Sequence, residues 1–348
     1  MAGEVVAHFL RNLGLIVTED DAGDRIGSNS GNLACRLPAT APGTPIFLCA
    51  HLDTVPPTGP LQPVVTDGIV HNAGGTILGA DNKAAIAAML VAVRRVVVEQ
   101  RPHAGIELLF TLQEEISLGG AREIDLDRVD ATVGFVFDQA APIGEIIVGA
   151  PHQGSVDLTF HGRAAHAGIA PEDGRSAIAA AARTIAELRL GRLDDETTAS
   201  VGLIAGGTAR NVVPERCAVS VDVRSHDAGK LAALVQDVVD AAAFAANAAE
   251  CTLDVHVLET APGYRFANDI PAIGMAQAAL TRAGYVPRLA LTGGGADANA
   301  FNQRGRQCVN LANGMADIHS PTEHIAVADL EGMVEVTLAL VDVAREGS

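Results

Sequence analysis

The sequence predicts an α/β fold: a mostly parallel sheet covered by helices, interrupted by an inserted ferredoxin-like α+β domain. Three observations carry that expectation. Short β-rich apolar runs alternate with alanine-rich helical runs over the first 150 residues and again beyond 263. Between them the order becomes strand–helix–strand–strand–helix–strand, the split βαβ arrangement. Glycine and proline mark both crossings, at Gly149-Ala-Pro151 and Ala261-Pro262-Gly263. The expected division is therefore a discontinuous larger domain, 1–152 with 263–348, and a smaller domain, 153–262.

Taken in order, the expected strands of the first part are 45–50, 105–112, 132–138 and 145–149. Residues 82–99 place Ala, Ile, Met and Leu at helical spacing, with Asp81 or Asn82 as the N-cap. In the smaller domain, 155–162 (SVDLTFHG) alternates as a strand and 174–190 reads as a helix. The runs TASVGLIA and 217–225 are two more strands, 228–249 is an Ala/Val-rich helix, and 252–259 is the last strand. The larger domain then resumes with helix 270–283, strand 287–292, helix 296–303, strand 307–311 and helix 328–345.

Composition bounds the function. The chain has 348 residues, 48% of them hydrophobic, enough for two cored domains. A net charge of −18 argues against nucleic-acid binding, which needs clustered Lys and Arg to displace phosphate counterions. The charge suits a small-molecule enzyme or a cation site made of carboxylates. Five scattered cysteines, with no CxxC pair, read as reduced core residues of a cytoplasmic protein. The N-terminal stretch MAGEVVAHFLRN, with an acid at position 4 and no long apolar core, does not read as a signal peptide. The longest apolar run, Ala84 to Val93, is about half a membrane span, so no membrane association is expected.

Five polar clusters fall just beyond expected strands of the larger domain: His51 with Asp53, Asp81, Glu114 with Glu115, Asp138, and His319. In open α/β sheets ligands bind beyond the carboxyl ends of strands, so these exits can converge. Singly, each has an ordinary reading as a cap, a solvated turn or a loop. Together they match what a pair of divalent ions held ~3.5–4 Å apart needs. That is one bridging carboxylate, plus one histidine and one carboxylate for each ion. One glutamate then remains as a base. Imidazole and carboxylate ligands without a thiolate cluster favour zinc and tolerate cobalt or manganese.

Six motifs carry a resemblance over essentially the whole chain: AHLDTVP, GTILGADNKAAIAAML, LLFTLQEEISLGGA, GRAAHAG with PEDGRSAI, GGTARNVVPE and GGGADANAF. In that order they resemble the zinc exopeptidases related to peptidase T and carboxypeptidase G. That family also includes acetylornithine deacetylase, succinyl-diaminopimelate desuccinylase and aminoacylase. The resemblance implies a two-zinc hydrolase acting on short peptides, peptidase T-like. Asp81 would bridge the ions, His51 and Asp138 would complete one shell, and Glu115 and His319 the other. Glu114 would be the general base for the attacking water, and Asp53 would orient His51. His166 would stabilise the oxyanion from across a homodimer formed by the smaller domain. Asn211 and Arg224 would bind a substrate carboxylate, and Gly294 and Gly295 would let substrate backbone approach closely.

Two departures narrow this. Asp138 stands in VFDQ where the deacylases of the family more often carry Glu, which favours a peptidase over an N-acyl amino acid amidohydrolase. The following Gln139-Ala-Ala does not match the aminotripeptidase pattern, so the substrate is not assigned as a tripeptide. A catalytically silent peptide- or metal-binding module is disfavoured, because no ligand and no base is missing. Of the other histidines only His152, at the first crossing, is a candidate pocket residue. Neither glycine run is a nucleotide motif.

Overall fold

The computed structural model describes residues 2–347, which fall into two units. The larger comprises the chain up to Gly149, Arg265–Thr292 and Ala296 onward; the smaller comprises Ala150–Tyr264 and Gly293–Gly295.

The larger unit is organised around four parallel strands whose residues are almost all buried. Their order is Ile106–Thr111, Ile46–His51, Val133–Gln139 and Gln307–Ala312. Continuous burial on both faces is what a parallel centre requires, and it explains why these strands read as unbroken apolar runs. The sheet as a whole is mixed. Leu33–Leu37 pairs antiparallel on one side of the centre, and Glu145–Ala150 antiparallel on the other. Along Ile46–His51, Ile46, Leu48 and Ala50 join a core with Met89, Val93, Ile273, Leu280, Val336 and Leu340. Those partners come from helices Ala80–Val98, Pro271–Arg282 and Val327–Glu346. The alternate residue Phe47 packs on Phe301 of helix Asp297–Gln303, with ring centroids 4.9 Å apart. Period-two alternation thus supports helices on both faces.

The expected cap at Asp81 or Asn82 is not made. Both residues have non-helical torsions, Asp81 at φ −79°, ψ 103° and Asn82 at φ −119°, ψ 37°, so regular helix begins after them. The physical reason is that the Asp81 carboxylate is engaged elsewhere, as described below. A three-stranded sheet, Pro63–Thr66, Ile69–Asn72 and His324–Ala326, has no counterpart in the sequence reading. Its hairpin turns at Asp67 (φ 50°) and Gly68 (φ 77°), the left-handed pair that suits a tight two-residue turn. This sheet anchors the segment that follows His319.

The smaller unit is an antiparallel sheet in the order Gly191–Arg192, Thr197–Gly206, Arg216–Ser225, His152–His161, Thr252–Ala261. Its four long strands follow the ferredoxin-like order. Helices Ala177–Glu187 and Ala228–Ala248 cover it, burying Ala177, Ala181, Leu234 and Val238 against Val156, Leu158, Phe160, Val219 and Val221. The first helix starts later than the expected 174, because Ser176 caps it: its hydroxyl accepts from the Ala179 N–H at 3.1 Å. Ala228–Ala248 is long and apolar enough to cross a bilayer by length and composition, yet its Leu234, Val238, Ala242 and Ala246 belong to this core.

Candidate metal centre

The central strands end on one side of the sheet, and the polar residues that follow them meet there. His51 is the last residue of its strand and is only 1% exposed. Leu52 turns back into the core, so the next side chain on the same side is Asp53. Thr111 ends the neighbouring strand, and Glu114 and Glu115 follow within four residues. Asp138 is near the end of Val133–Gln139, with its backbone N–H donating to the Asn310 side-chain oxygen of the adjacent strand at 2.8 Å.

Asp81 lies at the centre of the cluster. Its Oδ1 is 2.9 Å from His51 Nε2 and its Oδ2 is 3.2 Å from His319 Nε2, so one carboxylate faces two imidazoles with different oxygens. His51 Nε2 is also 3.6 Å from Asp138 Oδ1, and His319 Nε2 is 3.0 Å from Glu115 Oε2. Ligand-capable atoms of His51, Asp81 and Glu115 lie within 4.8 Å of one another, as do those of His51, Glu114 and Asp138. Asp53 stands behind. His51 Nδ1 is 3.2 Å from the Asp53 carbonyl oxygen and 3.4 Å from its Oδ1. The Asp53 carboxylate also accepts the backbone N–H groups of Glu114 (3.1 Å) and Glu115 (3.2 Å), a role that the sequence did not reveal.

The electrostatics pull these groups apart. Burial, with the charge of Asp81 added, pushes the Asp138 carboxyl up to about 8. Burial, and then the charge of Asp138, holds Glu114 well above the usual carboxylate range. Asp81 is buried too, but hydrogen bonds from His319 and His51 outweigh burial and hold its carboxyl well below that range. Hydrogen bonds to Asp81 and then Glu115 raise His319 to about 10. Burial opposes the charged form of His51, yet Asp138, with Asp53 and Asp81, more than compensates and raises it. Neighbouring carboxyls driven in opposite directions are the signature of a site that handles protons or cations. The donor set is imidazole and carboxylate throughout, and one carboxylate presents both oxygens to separate histidines. That geometry fits a pair of divalent ions better than it fits a salt bridge.

Two further buried carboxylates belong to this region. Asp297, 1% exposed, accepts from the Thr111 hydroxyl and lies 3.7 Å from Cys49 Sγ; burial pushes it up to about 6. It sits in GGGADANAF, as the first residue of helix Asp297–Gln303, and no role was assigned to it from sequence. Glu323, also 1% exposed, receives backbone N–H groups from the turn before Asp81. No local pattern marks it, because its partners are more than 240 residues away in sequence.

The remaining candidates lie in the smaller unit. His166 and Asn211 are exposed and are carried by adjoining segments: His166 bridges to Val212, and the Ala167 N–H donates to the Asn211 carbonyl at 3.0 Å. The Arg224 Nε and Nη2 donate to the two carboxylate oxygens of Asp222 at 2.8 and 3.2 Å, and its Nη1 to the Gly293 carbonyl at 3.1 Å. Gly295 approaches so closely that an added Cβ would lie 2.7 Å from the Gln153 amide nitrogen. Gly294 lies in the same loop. His152 is the first residue of its strand, and its Nδ1 accepts the Gly263 N–H at 3.0 Å, which gives it a structural partner at the crossing.

Comparison with known proteins places this chain among peptidases. Residues 151–250 match the peptidase dimerisation domain model, and 32–146 match the model of peptidase family M28. An uncharacterised Bacillus subtilis (strain 168) protein, YqjE, is 36% identical over 99% of this chain and 92% of its own length. The aminopeptidase PepT of Bacillus cereus superposes with a TM-score of 0.86 at 38% identity, over 98% of this chain and 91% of that one. A tripeptidase of Staphylococcus aureus superposes with a TM-score of 0.92 at 31% identity, over 99% and 92% of the two chains.

Proposed function

Because this chain belongs to the M20 peptidase family, that of the PepT aminopeptidases, we propose that it is a two-metal exopeptidase of short peptides. The observation that carries this reading is the Asp81 carboxylate, whose two oxygens face His51 and His319 separately. Asp81 would bridge the ions, His51 and Asp138 would complete one shell, and Glu115 and His319 the other. Zinc suits this donor set, with cobalt or manganese as substitutes. When bound, such a pair supplies Lewis acidity, polarising the scissile carbonyl and acidifying water.

The chain's own residues do the rest. Glu114, whose carboxyl burial and then the charge of Asp138 hold above the usual carboxylate range, takes the proton of the attacking water and returns it to the leaving amine. Asp53 keeps His51 in one tautomer and holds the Glu114 and Glu115 backbone in place. His166 donates to the developing oxyanion, acting from the partner of a homodimer formed through the smaller domain, 153–262. That arrangement is supported by the dimerisation-domain match. Arg224 and Asn211 receive a substrate carboxylate, and Gly294 and Gly295 leave room for substrate backbone. The larger domain, 1–152 with 263–348, carries the chemistry. Five free, buried cysteines support a reducing, cytoplasmic location.

A panel of di- and tripeptides with free amines, C-terminal glutamates and N-acetyl amino acids, assayed on the metal-loaded protein, tests this. Turnover should be highest on short peptides with a free amine. A preference for N-acetyl amino acids would replace the reading with an amidohydrolase, and no turnover by a metal-loaded chain would favour a binding module.

A further inference from the structure

We propose that Glu323 is the positioning residue of the metal centre: it caps the turn that presents Asp81, and so frees both Asp81 oxygens to face the two histidines. The proposal rests on the two-metal reading above. Regular helix begins only after Asn82, and Gly79 offers no side-chain cap to the turn that leads into it. The buried backbone N–H groups of that turn need acceptors. An aspartate at this place would ordinarily serve, but Asp81 is turned towards His51 and His319. Glu323 takes over that task. Its Oε2 accepts the N–H groups of Leu78 (2.7 Å) and Gly79 (2.8 Å), and its Oε1 accepts that of Asp81 (2.9 Å).

Three charge-assisted hydrogen bonds are what makes a carboxylate with 1% exposure tolerable there. Glu323 also lies four residues after His319, in a turn closed by its own N–H on the Ser320 carbonyl at 3.1 Å. The strand that follows, His324–Ala326, pairs with Ile69–Asn72. One side chain therefore ties the segment carrying His319 to the turn carrying Asp81, and fixes the separation of two ligands distant in sequence.

The test measures Zn²⁺ affinity of the metal-stripped chain by competition with a chromophoric chelator, alongside melting of the stripped and loaded forms. Glu323→Ala should weaken the tighter-bound ion about 10–100-fold, the range for groups that orient metal ligands. Glu323→Gln keeps the size but can offer an acceptor to only one side of the turn, so it should give a smaller loss of the same sign. Should Glu323→Ala not fold, Glu323→Gln decides the matter. Unchanged affinity in a variant that melts lower by the same amount with and without zinc would overturn the proposal, leaving Glu323 a purely structural cap. If the parent chain itself bound no zinc, the two-metal reading would fail first.

Discussion

Replacing Asp53 by alanine should damage turnover far more than it empties the metal centre. The carboxylate is not placed as a ligand; it accepts from Glu114 N (3.1 Å) and Glu115 N (3.2 Å) and faces His51 Nδ1 at 3.4 Å. Hydrogen bonds to a charged acceptor contribute ~1.5–3 kcal/mol each. The side chain is 26% exposed, so water replaces part of what is lost. A net loss of about 1.4–2.7 kcal/mol corresponds to about 10–100-fold in kcat/KM, at 1.36 kcal/mol per tenfold. The assay is steady-state hydrolysis of a tripeptide paired with metal content per chain. The expected result is a fall in that range with metal content close to the parent's. Asp53→Asn, which retains one acceptor oxygen, should fall in between. An unchanged kcat/KM, or a drop explained wholly by lost metal, would refute the reasoning.

Glu114→Gln should retain the metal content of the parent but lower kcat by about 10²–10⁴, the usual contribution of a positioned base, in paired metal analysis and kinetics. The pH dependence follows from His319, raised to about 10 by hydrogen bonds to Asp81 and Glu115. In the metal-free chain this raised value adds stability that is fully present below the ordinary imidazole pKa and is lost as pH rises through about 10. A ligating imidazole is neutral, so loading must expel that proton. Calorimetry in buffers of different ionisation enthalpy should therefore show proton release on Zn²⁺ binding, with affinity rising with pH. Binding without proton release would contradict this.

The fold class was legible because the parallel centre is buried on both faces, so its strands stand out as apolar runs such as IFLCA, and because the smaller domain alternates cleanly, as in SVDLTFHG. The edges were less so. Leu33–Leu37 is a short LACRL segment carrying an arginine, and the strands flanking Asp67-Gly68 are mostly exposed or half-buried, so neither differs much from loop. His51 and Asp53 could be read as a pair, because period-two alternation carries both to one side past the strand end. Asp81 admits two readings from sequence, a helix cap from its place before the helix and a bridging ligand from the resemblance. The backbone N–H groups around it are accepted instead by Glu323, whose partners no local window contains. Asp297 was hidden similarly: its partners Thr111 and Cys49 come from two other strands.

The central claim is that one carboxylate is shared by two ions, and metal titration of the stripped chain tests it most directly. Zn²⁺ bound per chain should be counted against tripeptide turnover for the parent and for Asp81→Ala. The account predicts a pair of ions per parent chain, full turnover only when both are present, and loss of both tight binding and turnover in the variant. A parent chain that reaches full turnover with one ion, or an Asp81→Ala variant that still binds the pair tightly, would contradict it.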